Sequence, residues 1–167
     1  MADRKETDST TATPNALATF CAAAQTNDVD AMVGALSPDV ELLSPLIGRM
    51  IFRGTTDLRI LLGAAFGCLR GLRWQEVVSD GQTCVAVSEA RVAGLRISDA
   101  MVIELDDAGR ITRIRPHLRP WLAITAFALW LGPKLARHPG VIRRALENHR
   151  DRASADAATD AKVARSH

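Results

Sequence analysis

TCVAVSEARVAGLRISDAMVIEL, residues 83–105, is two runs of about ten residues in which apolar and polar side chains alternate, separated by Ala93-Gly94. Alternation of period two marks strands with one buried face. A two-residue break ending in glycine is hairpin chemistry. The stretch therefore predicts two long strands, 83–92 and 95–105, joined by a tight turn. That loop length sets Arg91 opposite Arg96 and Ser88 opposite Asp99, and places Ala86, Ser88, Ala90, Asp99 and Met101 on one face. A slip of one residue would turn Glu89 and Arg91 to that face instead. The first register is preferred because it keeps the charges in water.

Outward from the hairpin the same periodicity continues. LRWQEVVS (72–79) precedes it across Asp80-Gly81, and RITRIRPHL (110–118) follows the turn DDAG (106–109). Four strands with short breaks make an antiparallel meander. The N-terminal half reads as helices. Thr13-Pro14 is a start signal, with Leu17, Phe20, Cys21 and Ala24 on one face of the helix it opens. Asp28 and Asp30 are candidate caps for a short second helix contacting through Val33 and Leu36 and ending at Pro38. VELL and RMIF are short strands around Pro45 and Gly48. A third helix capped by Thr55 or Thr56 presents Leu58, Leu61, Leu62 and Ala65 as its buried stripe. A sheet with one apolar face needs a cover, and early helices supply it, so the class is α+β with a curved antiparallel sheet wrapped around N-terminal helices.

The chain of 167 residues accommodates one domain. Residues 1–12 and 153–167 are small and polar without hydrophobic periodicity and read as disordered tails. The domain is 13–120 and a helical extension covers 121–152. A net charge of +2 gives no whole-chain argument for a nucleic-acid partner. Cys21, Cys68 and Cys84 lie in apolar segments without metal-type spacing and read as buried thiols. The polar start MADRKETDSTTATP lacks the apolar core of a signal peptide, and a reducing cytoplasm suits free cysteines. The apolar run WLAITAFALWLG (121–132) is shorter than a spanning helix requires.

FCAAAQTNDVDAMVGALSPDVELLSP, then FRGTTDLRILL, then IELDDAGRITRIRP, in that order and spacing, resemble the nuclear-transport-factor-2-like superfamily. Its bacterial branch includes SnoaL-like polyketide cyclases, ketosteroid isomerases and limonene-epoxide hydrolases. The likeness covers about residues 14–120. It implies a cystatin-like (NTF2-like) conical α+β barrel with an apolar pocket between sheet and helices, and a homodimer. An enclosed apolar cleft is a natural small-molecule site, although a fold alone does not give the reaction.

Position by position, the resemblance transfers chemistry poorly. Ketosteroid isomerases carry a carboxylate base just before a proline in the first strand; here that place is Ser44-Pro45, and a serine hydroxyl without an adjacent base cannot take a carbon-bound proton near neutral pH. Their oxyanion-stabilising tyrosine falls at Phe20, and the chain has no tyrosine. Their second acid falls at Met101, with Asp99 two residues earlier on the same strand face. The epoxide hydrolases' last-strand aspartate falls at Pro116, and the sheet has no Arg-x-Asp. Glu89 and Arg91 share a face and make an alternative acid–cation pair. Asp99 is the candidate acid, its pKa expected to rise if buried without a cation.

Phe20, Leu62, Phe66 and Met101 are expected to line the pocket, with Ser44 and Ser88 as hydrogen-bonding groups. In RIRPHL the set Ile114, Pro116 and Leu118 faces the pocket by alternation, which sends His117, despite its useful pKa, to the other side. Four histidines without paired spacing give no metal site. No Gly-rich phosphate cradle follows a strand, so no cofactor is expected. The residues thus point to a protein that binds a hydrophobic small molecule of polyketide, terpenoid or steroid type. The alternatives are an isomerase, cyclase or epoxide-hydrolase-type enzyme working through Asp99 or through Glu89 and Arg91, or a partner-binding or membrane-surface module built on 121–150. In the last, the apolar helix and the basic PKLARHPGVIRRALENHRDR (133–152) would act together; otherwise they are a lid or dimer arm.

Overall fold

The computed structural model describes the backbone of residues 15–164, with side chains described through residue 152. The expected tail at 1–12 and the Thr13-Pro14 signal lie outside the described residues, as do 165–167. Helices α1 (Asn15–Thr26) and α2 (Val29–Gly34) come first, followed by strands β1 (Leu36–Leu43) and β2 (Ile51–Arg53) and helix α3 (Thr55–Phe66). The meander is β3 (Arg70–Asp80), β4 (Thr83–Val92), β5 (Leu95–Leu105) and β6 (Ile111–Arg115), with a two-residue β7 (Leu118–Arg119). Helices α4 (Trp121–Ala136) and α5 (Pro139–Ala164) close the chain.

The sheet runs β2-β1-β6-β5-β4-β3, with β7 added to β5. Every pairing is antiparallel except β1 with β6, which is parallel and joins the N-terminal ribbon to the meander. The sheet is therefore mixed and open, a curved half-cone around the helices. Register shifts in β3, between Arg70 and Arg73 and between Trp74 and Glu76, add the local bends that bulges produce.

The helical layer packs on the concave face. Leu17 and Phe20 of α1, Met32 of α2 and Leu58 and Leu62 of α3 meet Ile103, Ile111 and Ile114 of the sheet, all at most 2% exposed. Trp74 Nε1 donates to the Cys21 carbonyl at 2.8 Å, tying β3 to α1. A second, smaller core forms where Ala123, Phe127 and Leu131 of α4 cover Ala90, Val92 and Ile97 at the hairpin end.

Asp28 caps α2, accepting from the Ala31 N–H at 3.0 Å. The N-cap of α3 is Gly54 rather than a threonine; its φ of +80° and its N–H bond to the Val40 carbonyl form a corner that leaves Thr55 and Thr56 inside the helix. Pro38 lies within β1, not at the end of α2. It falls between the register positions Leu36 and Glu41 where the ladder is irregular, and a bulge tolerates the missing N–H. The run 110–118 is interrupted at Pro116, separating β6 from β7.

The helix α5 is stitched to α3 and to the β1–β2 ribbon. Arg144 grips Asp57 through Nε at 3.0 Å and Nη2 at 2.5 Å, Asn148 Nδ2 donates to the Ile51 carbonyl at 3.0 Å, and Arg152 reaches Glu41 at 2.8 Å. Positions 144, 148 and 152 recur every four residues and so share one face. The backbone of 153–164 continues as helix, where polar composition points to a tail. An alanine-rich run has the highest intrinsic propensity and propagates a helix already nucleated upstream.

Candidate functional site

A cavity of about 390 Å³ opens between the sheet and α1, α3 and α4. From α1 comes Phe20, set edge-on to Phe66 of α3 with ring centroids 6.1 Å apart at 80°. Leu62 lies one helical turn before Phe66. Ser44 enters from the turn after β1, Ser88 and Met101 from the central strands, and Pro116 and Leu118 from the β6–β7 junction. These eight and Asp99 all lie on the wall of this one cavity; the Ala93-Gly94 turn brings the three strand residues there, setting Ser88 opposite Asp99, Ala86 opposite Met101 and Arg91 opposite Arg96.

Glu89 and Arg91 fall on the opposite strand face, exposed, with Arg91 donating to the Gly94 carbonyl at 3.1 Å. The alternative acid–cation pair is thus not in the cavity. Strand parity decides this: both are one residue out of step with Ser88 and Ala90.

Asp99 is the single ionisable group among the described residues on the wall; the other polar side chains there are Ser44, Ser88 and Ser98. Its Oδ1 accepts from the His117 backbone N–H at 2.7 Å, while Oδ2 has no partner among the described residues. Burial disfavours the charged form and outweighs the pull of the His117 N–H and of the nearby imidazole, so the carboxyl is raised from 3.8 to about 6. His117 therefore serves the site through its backbone. Its ring is exposed, Nδ1 lying 3.1 Å from the Ala100 carbonyl.

The serines differ in what they have left to offer. Ser44 Oγ accepts from the N–H groups of Leu46 (3.3 Å) and Ile47 (3.2 Å), which makes it the organiser of its own turn, with only its O–H free to donate. Ser98 Oγ accepts from Arg119 Nε at 3.1 Å. The Ser88 hydroxyl, on a residue 4% exposed, makes no hydrogen bond to another described residue and remains available beside Asp99.

The helices expected as a lid or dimer arm contribute wall residues that the sequence did not single out. Phe127, Ala128, Leu131 and Leu135 of α4 and Ile142 of α5 complete the wall. Their signal is the 127-131-135 spacing with 128 beside it, a helical stripe inside a run so apolar that the stripe does not stand out. The thiols Cys21, Cys68 and Cys84 are buried and free. Burial, with Cys84 nearby, pushes Cys21 up to about 12.

This architecture recurs in solved structures. An uncharacterized bacterial protein with a cystatin-like fold from Silicibacter pomeroyi superposes with a TM-score of 0.74 at 16% identity, over 79% of this chain and 94% of its own. A steroid delta-isomerase from Pseudomonas aeruginosa gives 0.68 at 22% identity, covering 75% and 92%. A putative polyketide cyclase from Sinorhizobium meliloti gives 0.55 at 20%, covering 63% and 95%. No curated protein matches the sequence. Residues 17–114, from the first core leucine of α1 to the last core isoleucine of β6, match the SnoaL-like domain, and the chain belongs to that family.

Proposed function

We propose that this protein binds an apolar small molecule of polyketide, terpenoid or steroid type in the α4-covered cavity, and that Asp99 carries a proton on it in an isomerase- or cyclase-type reaction. The observation that carries this reading is a lone carboxylate with one free oxygen and a pKa of about 6 on a wall whose other polar side chains are three serines. Near neutral pH such a group is mostly ionised yet close to balance, which suits a general base that must return its proton. In the proposed step Oδ2 takes a proton from carbon next to a ligand carbonyl. The resulting enolate oxygen is met by the Ser88 or Ser44 hydroxyl, and the Asp99 acid returns the proton at the same or a conjugated carbon. Membership of the SnoaL-like family and the fold shared with a steroid delta-isomerase and a putative polyketide cyclase support the substrate class.

A second reading, ligand carriage without chemistry, is favoured by what stands at the positions where ketosteroid isomerases hold their base, oxyanion-stabilising tyrosine and second acid: Ser44, Phe20 and Met101. Native mass spectrometry after exposure to a hydrophobic metabolite extract tests binding. Incubation of the captured compound with protein in D₂O tests chemistry. Deuterium entering the ligand with wild type, and about 10²–10⁴-fold more slowly with Asp99→Asn, supports the proton-transfer reading. Retention by both forms without exchange leaves carriage, and no retained compound sinks both.

A further inference from the structure

We infer that the outward face of α4 docks on a lipid bilayer with anionic headgroups. The helix is apolar on both sides. Ala123, Phe127, Leu131 and Leu135 are buried inward, while Trp121 is 75% exposed, Leu129 70%, Trp130 57% and Leu122 51%. A helix apolar all round is normally enclosed, and this one is bare over half its surface.

Charge selects what covers it. Between Asp107 and Glu147 the chain has eight Lys and Arg and no Asp or Glu. Arg110, Arg113, Arg115 and Arg144 are engaged with acidic side chains elsewhere. Arg119, two residues before Trp121, and Arg137, seven after Trp130 and so on its side of the helix, are exposed at the two ends of the bare face. A second copy packed face to face would bring these arginines against one another with no acid on the strip to pair them, because an isologous contact repeats the same residues on both sides. An anionic surface meets both ends at once. The two tryptophans lie nine residues apart, about 14 Å along the axis, and indole rings settle at the headgroup level. Among the described residues no helix is long and apolar enough to cross a membrane, and 16 residues span about 24 Å, so α4 lies in the interface plane. Since its inner face walls the cavity, docking sets the bilayer one helix thickness from the ligand site. The inference stands whether or not Asp99 transfers a proton.

The test is flotation of the full chain, without added ligand, with vesicles of phosphatidylcholine alone and of phosphatidylcholine with 30% phosphatidylglycerol. Expected are partition into the anionic vesicles at least tenfold above the neutral ones, a blue shift of tryptophan emission, and release in high salt. R119Q/R137Q should lower partition about 25-fold, taking about fivefold for each cation near the surface, and W121Q/W130Q should abolish it, both with unchanged thermal melts. Equal partition into neutral and anionic vesicles, variants that float like wild type, or no flotation would overturn the inference. A dimer that W130Q dissociates, without flotation, would assign the face to a second copy.

Discussion

Ser88 on β4 stands directly opposite Asp99 on β5, and Leu118 on β7 stands opposite Asp99 on its other side. The acid is therefore held mid-sheet between a buried hydroxyl and an aliphatic side chain, with no cationic side chain bonded to it among the described residues. That placement explains the raised carboxyl: the sheet supplies one N–H donor, from His117, and otherwise removes water.

Asp99 should make the fold less stable as pH rises. Its folded pKa of about 6 exceeds the ordinary 3.8, so between those values the folded state binds more proton than the unfolded one. The cost is absent below pH 4, grows through pH 4–6 and is complete above 6, reaching about 3 kcal/mol for roughly two units. Asp99→Asn keeps an acceptor for the His117 N–H and carries no charge. It should be more stable than wild type at pH 8 by up to about 3 kcal/mol, the gap closing by pH 4 in urea titrations. A gap independent of pH would mean the carboxyl is not desolvated.

Filling the cavity should separate binding from folding. Ala128 of α4 lies on its wall, and Ala128→Met extends a flexible chain into existing space, avoiding the strain of overpacking a filled core. Ligand affinity, once a ligand is captured, is expected to fall at least tenfold while the melting temperature holds or rises. Leu62→Ala, at a side chain only 2% exposed, should instead cost about 2–5 kcal/mol of stability.

The bounds of β4 and β5, and with them the face that carries Ser88, Asp99 and Met101, were legible because each strand has one buried side and a two-residue turn fixes the pairing. Of the nine residues on the wall, Ser88, Asp99 and Met101 follow from that register, Phe20 and Leu62 from the helical stripes of α1 and α3, and Pro116 and Leu118 from alternation along 110–118, whereas Ser44 is reached through the family resemblance. Harder to read was anything decided by partners distant in sequence. The parallel β1–β6 pairing has no local signature. The stripe of Arg144, Asn148 and Arg152 looks like a solvated basic face until Asp57, Ile51 and Glu41 are brought beneath it. Pro38 reads as a terminator because nothing nearby announces the irregular register that tolerates it.

The α5 stitching makes a contrast between adjacent arginines. Arg144 neutralises Asp57, whose side chain is 7% exposed, whereas Arg143 lies 3.7 Å from Glu147 with both side chains in solvent. Removing one partner of a buried charge leaves the other uncompensated, while exposed pairs contribute little. Arg144→Gln should lower Tm by roughly 3–8 °C, and Arg143→Gln should leave it near wild type. Similar losses for both would show that α5 is held by its apolar face alone, through Val141 and Ala145.

The hairpin turn is the cheapest place to gain stability without touching the site. Ala93 and Gly94 have φ of 48° and 82°, the pair of positive angles that a type I′ turn demands and that suits Asn-Gly best. Alanine in that region is strained by its Cβ, at about 1–2 kcal/mol for a non-glycine residue, and asparagine tolerates it more readily. Ala93→Asn should therefore stabilise the fold by roughly 0.5–1 kcal/mol, taking up to half of that strain as recoverable. Gly94→Ala should destabilise it, although no atom lies within 4 Å of the added Cβ, because the penalty is conformational rather than steric. Since the turn sets the register that places Ser88 against Asp99, the asparagine variant should keep the pH-dependent loss of stability through pH 4–6 unchanged. If Ala93→Asn raised the melting temperature but erased that dependence, the hairpin would have slipped and Asp99 would have left the cavity wall.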